Sequence, residues 1–273
     1  MSNIAGDVGS VAAVWRYPVK SMMGEALNAA EVTERGLLGD RPYALVDAET
    51  GKVVSAKKPR KWEKLFEFRA SFVEPPLSGQ RLPHVRITFP DGRSMTTVER
   101  GLDEAFSDAF GRRVTFATAA PDKPSLEEYW PDLEGLTYRE TVTDEAMPEG
   151  TFFDLGLVHV LTTATLNRLR ELHPPGRYEV RRFRPNIVVA STGSAGFVEN
   201  DWVDRTLAIG EKVRLRVTGP CPRCVKTTLP QDDLPKDPGI LRAAAQHNDA
   251  NVGVYASVEQ DGAIRRGDSV KLL

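Results

Sequence analysis

The chain has 273 residues, a formal net charge of −2, 41% hydrophobic residues and 27% charged residues. These fractions are typical of a globular protein, and the length allows one large domain or two ordinary ones. The small net charge gives no reason to expect nucleic acid as a partner. No long apolar run or secretion signal is visible, and two cysteines suit a reducing compartment. We therefore expect a cytoplasmic protein without a membrane span.

Short apolar segments separated by turn residues fill the first half of the chain. Strands at this spacing predict an antiparallel barrel or sandwich. One helix interrupts them, because Leu102, Ala105 and Phe106 share a helical face and Gly111 is well placed as the C-cap. The predicted strands cover residues 11–17, 26–32, 43–46, 53–56, 66–72, 85–89 and 114–117.

Residues 119–150 differ from the rest in being rich in proline, aspartate and glutamate. Such a change in composition is typical of a domain boundary, and the segment has room for a short helix. We therefore predict two domains, residues 1–120 and 121–273, with the boundary inside this segment.

The second half alternates strands with a few helices. Residues 157–161 and 186–190 are predicted strands, and Thr162 or Thr163 can cap a helix that ends at His173. Residues 235–248 form a second helical stretch, and residues 209–213 and 266–270 resemble hairpin turns. The predicted fold class is therefore β-rich mixed α+β, in two parts.

Both cysteines lie in one Cys-x-x-Cys motif, at Cys221 and Cys224. This spacing allows a dithiol redox pair, half of a zinc site, or one thiolate on a softer metal. A dithiol pair usually precedes a helix, and we expect none after Cys224, where β-branched residues lead to Pro230. A closed zinc site needs more ligands than two cysteines and scattered histidines provide. The neighbouring Arg223 and Lys226 favour a reactive or metal-bound thiolate at Cys224 over an inert buried thiol.

Five motifs, taken together, resemble those of the MOSC proteins (molybdenum cofactor sulfurase C-terminal domain) that carry an N-terminal β-barrel domain. Within this family the chain looks most similar to the amidoxime-reducing component and its bacterial relatives, which reduce N-hydroxylated compounds. The resemblance implies an N-terminal antiparallel β-barrel-like domain followed by a MOSC β-barrel domain with a few helices. The motifs are residues 17–21, Gly39-Asp40-Arg41, residues 182–186, Asp201-Trp202 and residues 223–228.

The resemblance also implies a cofactor site. Cys224 matches the residue that binds molybdenum and is the implied catalytic residue. Pro222 departs from relatives that have serine there, and the pair Thr162-Thr163 is a variant of a more acidic or serine-containing sequence. The residues implied to bind the molybdenum cofactor are Lys20, Ser21, Arg41, Thr162, Thr163, Arg184, Asn186, Arg223 and Tyr255.

An oxidoreductase that reduces N–O bonds in a small N-hydroxylated substrate is the implied activity. Some bacterial relatives add an iron–sulfur domain that needs four cysteines, whereas this chain has two. Electrons are therefore expected from a separate flavin or iron–sulfur protein. Two alternatives stay open: a persulfide sulfur carrier acting through Cys224, and a non-catalytic carrier of the molybdenum cofactor.

The one local run of positive charge is the basic loop, residues 57–62, with three lysines and Arg60. Such a run is usually a solvated face of the protein. It also has the charge to contact an anionic cofactor or an acidic electron donor. We therefore consider it a candidate docking surface for the donor.

Overall fold

The computed structural model describes residues 6–192 and 196–273. The helices are α1 (Leu102–Phe110), α2 (Thr163–Leu172), α3 (Val180–Phe183) and α4 (Gly239–Asn248), and single 3-10 turns cover Glu63–Glu67, Val198–Trp202 and Val225–Thr228. The strands are β1 (Gly6–Arg16), β2 (Glu25–Leu27), β3 (Ala29–Thr33), β4 (Gly36–Leu37), β5 (Ala44–Asp47), β6 (Arg69–Phe72), β7 (Val85–Thr88), β8 (Ser94–Thr96), β9 (Val114–Ala117), β10 (Ser125–Trp130), β11 (Thr141–Ala146), β12 (Val158–Thr162), β13 (Ile187–Ser191), β14 (Thr206–Ile209), β15 (Val213–Pro222), β16 (Asn251–Gln260), β17 (Gly262–Arg265) and β18 (Ser269–Leu272).

Seven strands close into a barrel in the order β13-β12-β16-β15-β14-β18-β1, with β1 pairing back onto β13. The pairs are antiparallel except for the parallel pair β12–β13. Buried apolar side chains from these strands, among them Val14, Val160 and Leu215, form one core. Since β1 comes from the N-terminus, the barrel joins the first residues of the chain to its second half.

Strand β1 lies between β18 and β13 at Gly9, which closes the barrel. Gly9 and Ser10 pair with both neighbours, and the register shifts between Asp7 and Gly9 on the β18 side and between Val11 and Ala13 on the β13 side. Gly9 has a φ of 144°, and a Cβ there would lie 2.0 Å from the carbonyl oxygen of Ala190. Only glycine allows the two strands to approach so closely at this position.

The first half forms small antiparallel sheets around an aromatic core. These sheets are β5-β9 and β6-β7-β8, whereas the sheet β17-β3-β4 combines strands of both halves and packs on the barrel core. Phe68 lies 5.2 Å from Phe89 and 5.6 Å from Phe106 between ring centroids, so α1 packs directly on the strands. Val225 and Leu229 of the second half belong to the same core, which ties the segment after Cys224 to the first half.

The predicted fold class is confirmed. The protein is β-rich, with a closed barrel and four α-helices in its described part. Helix α1 ends at Gly111, whose φ of 61° is the left-handed conformation expected of a C-cap. Helix α2 begins after Thr162, whose hydroxyl accepts from the Thr165 amide. The division at residues 119–150 stays a prediction.

Three local predictions are wrong. Residues 119–150 contain the hairpin β10–β11 and no helix, because Leu126 and Glu128 point inward at strand spacing. Residues 53–56 contribute one bridge, between Val46 and Val53, instead of a strand. Residues 266–270 do not close a hairpin, since β17 pairs with β3 while β18 pairs with β14 and β1. In residues 6–192 and 196–273, no helix has the length and apolar character needed to cross a membrane.

We expect Gly9→Ala to lower the free energy of unfolding by about 2–4 kcal/mol, because β1 and β13 must move apart to admit the methyl group. Gly51→Ala is the matched control. Gly51 also has a positive φ, of 69°, but a Cβ there meets no atom within 4 Å, so its cost is about 1–2 kcal/mol of backbone strain. Urea unfolding measures both. Equal losses in the two variants would show that close strand contact at Gly9 is unimportant.

Candidate functional site

The segment after Cys224 is a single 3-10 turn, Val225–Thr228, which corrects the prediction that no helix begins there. Arg182 is fully buried and holds this turn from below. Its guanidinium donates to the carbonyl oxygens of Thr227 at 3.2 Å, Leu229 at 3.1 Å and Pro235 at 2.8 Å. Held also by the aromatic core of the first half, the turn places Cys224 on a rigid support.

A cavity next to this turn is lined by residues from both halves of the chain; we call it the cation-lined cavity. Seven of the nine predicted cofactor-binding residues line it, together with six others that include Asp154, His159 and Lys226. The seven are Lys20, Ser21, Arg41, Arg184, Asn186, Arg223 and Tyr255.

Cys224 lines a second cavity of about 250 Å³, which we call the Cys224 cavity. The two cavities share four lining residues, Asp154, Arg223, Lys226 and Tyr255. They are therefore adjacent, with Cys224 in one and Arg41 and Arg184 in the other.

Three residues of the cation-lined cavity have strained backbones. Ser21, Arg41 and Arg184 have φ values of 63°, 52° and 53°, in the left-handed region that non-glycine residues rarely adopt. Each such residue costs on the order of 1–3 kcal/mol, and the surrounding structure must offset it. The ring of Tyr17 lies under both guanidinium groups, 4.9 Å from Arg41 and 4.1 Å from Arg184. Strain of this kind is typical of residues held in place for binding.

Two buried arginines have donors without partners among the described residues. Arg184 donates to the carbonyl of Met22 at 2.6 Å, but its Nη2 has no acceptor. Arg223 donates to the carbonyl of Phe183 at 2.9 Å, and its Nε has no acceptor. Buried donors are normally satisfied, so these atoms indicate the place of a missing acceptor. Burial lowers the pKa of Arg184 to about 10 and that of Lys20 to about 7, and the charges of Arg41 and Lys226, respectively, act in the same direction.

Sequence reasoning missed Asp154, which stands at the junction of the two cavities. It accepts hydrogen bonds from Lys20 and, at 2.8 Å, from Lys226. Although burial opposes ionisation, the charges of Lys20, Lys226 and Lys57 hold the pKa of Asp154 well below its usual range. Asp154 follows two phenylalanines, and this local sequence gives no indication that the carboxylate pairs with lysines from distant parts of the chain.

The pKa values of the two thiols favour a thiolate at Cys221, whereas we expected one at Cys224. Burial raises the pKa of Cys224, and nearby Glu128 adds to this, so the basic neighbours do not produce a free thiolate there. Cys221 is fully buried and accepts from Nη1 of Arg223 at 2.7 Å. Although burial opposes it, Arg223 and His159 lower the pKa of Cys221 to about 6. The thiolate therefore belongs to Cys221, because the guanidinium points at that sulfur.

The two threonines implied as cofactor contacts lie elsewhere. Thr162 donates to Glu199 at 2.7 Å and caps α2, and the hydroxyl of Thr163 accepts from the Ser191 amide at 3.2 Å. Neither residue lines either cavity. Their observed contacts are structural.

Asn186 lines the cation-lined cavity, but its side chain also joins strands. Its Oδ1 accepts from the His159 amide at 3.0 Å, and its Nδ2 donates to the carbonyl of Trp15 at 3.4 Å. The side-chain amide thus bridges β1 and β12 at the edge of the cavity. Its observed role is to hold the cavity wall in place.

The basic loop is mostly neutralised within the chain. Glu127 pairs with Lys58 at 3.0 Å and with Lys61 at 3.1 Å, and Glu128 pairs with Lys57 at 2.8 Å. Arg60 is exposed and lies over the ring of Tyr129. The loop is therefore a poor candidate for a freely available positive surface. The sequence did not reveal this, because the two glutamates reach the loop only through the position of β10 in the fold.

We expect the protein without bound metal to show the ultraviolet absorbance of one thiolate at neutral pH, with its midpoint near the pKa of about 6 given for Cys221. Below this pH the absorbance disappears as the sulfur takes up a proton. Cys221→Ser should remove the signal and Cys224→Ser should leave it, since burial keeps Cys224 protonated. A pH titration by difference absorbance measures this. A signal lost only in Cys224→Ser would contradict the assignment.

Comparison with known proteins identifies two family domains in the chain. Residues 8–97 match the MOSC N-terminal beta barrel domain and residues 151–271 match the MOSC domain. The "Mitochondrial amidoxime reducing component 2" of Macaca fascicularis and that of Homo sapiens are each 28% identical, over 97% of this chain and 83% of theirs. The crystal structure of the YUAD protein from Bacillus subtilis covers 97% of this chain and 95% of its own, with a TM-score of 0.49 and 11% identity. The chain belongs to the MOSC-domain proteins that carry an N-terminal MOSC β-barrel domain.

Proposed function

We propose that this protein is a molybdenum-cofactor-dependent reductase of N-hydroxylated compounds. The observation that carries the proposal is the convergence of Lys20, Arg184 and Arg223 on one cavity adjacent to Cys224. The unpartnered donors of the two arginines fit an anionic ligand, and a cysteine at the other end fits a soft metal. The residues present therefore suit a ligand that is anionic and contains a metal.

Each part of the cavity has a distinct task in this proposal. Arg41, Arg184 and Arg223 would bind the anionic and polar groups of the cofactor, since their planar guanidinium groups can donate two hydrogen bonds at once. Cys224 would bind the molybdenum through its sulfur. When bound, the cofactor supplies the two-electron chemistry that removes the oxygen atom from the substrate.

The protein's own contribution is rigidity and charge. The turn held by Arg182 fixes the Cys224 sulfur, and the strained backbones of Ser21 and Arg41 hold their side chains before the ligand arrives. Because burial raises the pKa of Cys224, the thiol must release its proton on binding metal, and Lys57 and Lys226 favour that release. Metal binding should therefore be weaker at acidic pH.

The substrate class follows from relatives whose names describe reduction of amidoximes. A small N-hydroxylated compound would enter through the Cys224 cavity. The names of these relatives also place them in mitochondria; for this chain we propose the cytoplasm, on the composition argument given above.

Sulfur transfer is the alternative chemistry, with a persulfide on Cys224. Both roles need the Cys224 thiolate, so the raised pKa of this thiol does not distinguish them. A cofactor carrier without activity would share the cavity but would not reduce a substrate.

Cys224→Ser should lose reductase activity by at least about a hundredfold, because an alkoxide is a poor replacement for a thiolate on a soft metal. Protein from a host that makes the cofactor would be assayed for molybdenum by elemental analysis and for reduction of a test amidoxime with dithionite. Cys221→Ser is the matched control and should retain most activity. Equal loss in both variants would support a dithiol mechanism, and wild-type protein without molybdenum would favour the persulfide carrier.

NADH alone should not support turnover by this chain. Its two cysteines cannot hold an iron–sulfur cluster by four thiolates, and no glycine-rich dinucleotide motif follows a strand. Adding a flavoprotein that oxidises NADH, alone or with an iron–sulfur protein, should allow turnover, and the rate should fall with salt as in other transient redox encounters. The measurement is NADH consumption with substrate, with dithionite as the control reductant. NADH consumption without any added protein would refute the two-component system.

A further inference from the structure

Three lysines from separate parts of the chain converge on one carboxylate. Lys226 Nζ lies 2.8 Å from Oδ2 of Asp154, and Lys57 Nζ lies 3.8 Å from the same oxygen. Lys20 donates to the other oxygen. One carboxylate therefore faces three lysine side chains, of which those of Lys20 and Lys226 are almost wholly buried.

The lysines differ in what else they contact. Lys20 also donates to the carbonyl of Phe152 at 2.8 Å, and Lys57 pairs with Glu128 at 2.8 Å. Lys226 has Asp154 as its side-chain acceptor and no second ion pair in the described part of the chain. A buried ammonium group without a partner is unfavourable, so this cluster is stable only with an anion at the position of Asp154.

Asp154 is placed where a bound ligand can reach it. It lines both the cation-lined cavity and the Cys224 cavity, and 19% of its side chain is exposed. It also lies outside the strands, between β11 and β12. Its carboxylate can therefore turn away from the lysines without breaking a strand pair.

We propose that Lys20, Lys57 and Lys226 form a binding site for a doubly charged tetrahedral oxyanion, in which Asp154 is a built-in substitute that occupies the site when no such anion is bound. The natural occupant would be an anionic group of the cofactor, and to this extent the inference rests on the proposed function. The test uses protein free of cofactor and involves no turnover, so either proposal can fail without the other.

The variant Asp154→Asn removes the internal anion while keeping the shape of the side chain. Thermal unfolding is followed in sodium chloride and in sodium sulfate of equal ionic strength, and sulfate affinity is measured by calorimetry. We expect the variant to be less stable than wild type in chloride and to recover in sulfate. Sulfate should bind it about tenfold more tightly than wild type, because it no longer competes with the carboxylate.

Glu127→Gln is the matched control. Glu127 is also held by two lysines, Lys58 at 3.0 Å and Lys61 at 3.1 Å, but it lines neither cavity. Sulfate stabilises most proteins without binding to a specific site, because it is excluded from the protein surface. Glu127→Gln and wild type measure the size of this non-specific effect. If Asp154→Asn gains no more from sulfate than they do, the proposal is overturned.

A double variant, Asp154→Asn with Lys226→Met, tests the charge balance. Lys20 and Lys57 keep the Phe152 carbonyl and Glu128 as partners, so stability in chloride should return and the extra response to sulfate should shrink. An unchanged response would contradict the assigned site. If Asp154→Asn alone does not fold in chloride, folding in sulfate supports the proposal, and failure in both salts overturns it.

Discussion

The cluster of buried positive charges around one cavity is the feature that the rest of the structure must stabilise. Lys20, Arg41, Arg184, Arg223 and Lys226 line one cavity, and the carboxylates paired with them are Asp40 and Asp154. Burying unbalanced charges is unfavourable by several kcal/mol for each ion. A fold keeps such an arrangement only if its core and barrel hold it in place, which leaves a formed cavity whose charge is complementary to that of an anion.

That support comes from both halves of the chain at once. The N-terminal strand β1 closes the barrel against β13 and β18, and it leads directly to Lys20. In return, Val225 and Leu229 from the second half pack into the aromatic core of the first. Neither half can therefore present the cavity alone, because each completes the packing of the other.

Rigidity and charge together suit the cation-lined cavity to an anionic group. Ser21, Arg41 and Arg184 are held in left-handed conformations, and Tyr17 packs against both arginines. These donors are therefore ordered before a ligand binds, so less side-chain entropy is lost on binding. The same rigidity holds Cys224 on its turn. Cys221 serves differently, because its sulfur faces Arg223 and balances part of the charge.

Local patterns in the sequence were sufficient for some features. The C-cap at Gly111 and the start of α2 at Thr162 depend on residues within one turn of a helix, so they can be identified without the fold. The motifs around Arg41, Arg184 and Cys224 pointed to residues that the structure brings to one pair of adjacent cavities. Their roles toward a cofactor stay a prediction.

Other features depend on contacts between residues far apart in the chain, and only the tertiary structure decided them. Asp154 became central because Lys20 and Lys226, 134 and 72 residues away, meet at its carboxylate. The ionisation of Cys221 over Cys224 depends on which sulfur Arg223 and His159 approach, which neighbours in sequence do not reveal. The sequence alone determined which residues carry charge and sulfur, while the fold decided which of those charges meet, because electrostatic energies depend on distance and burial.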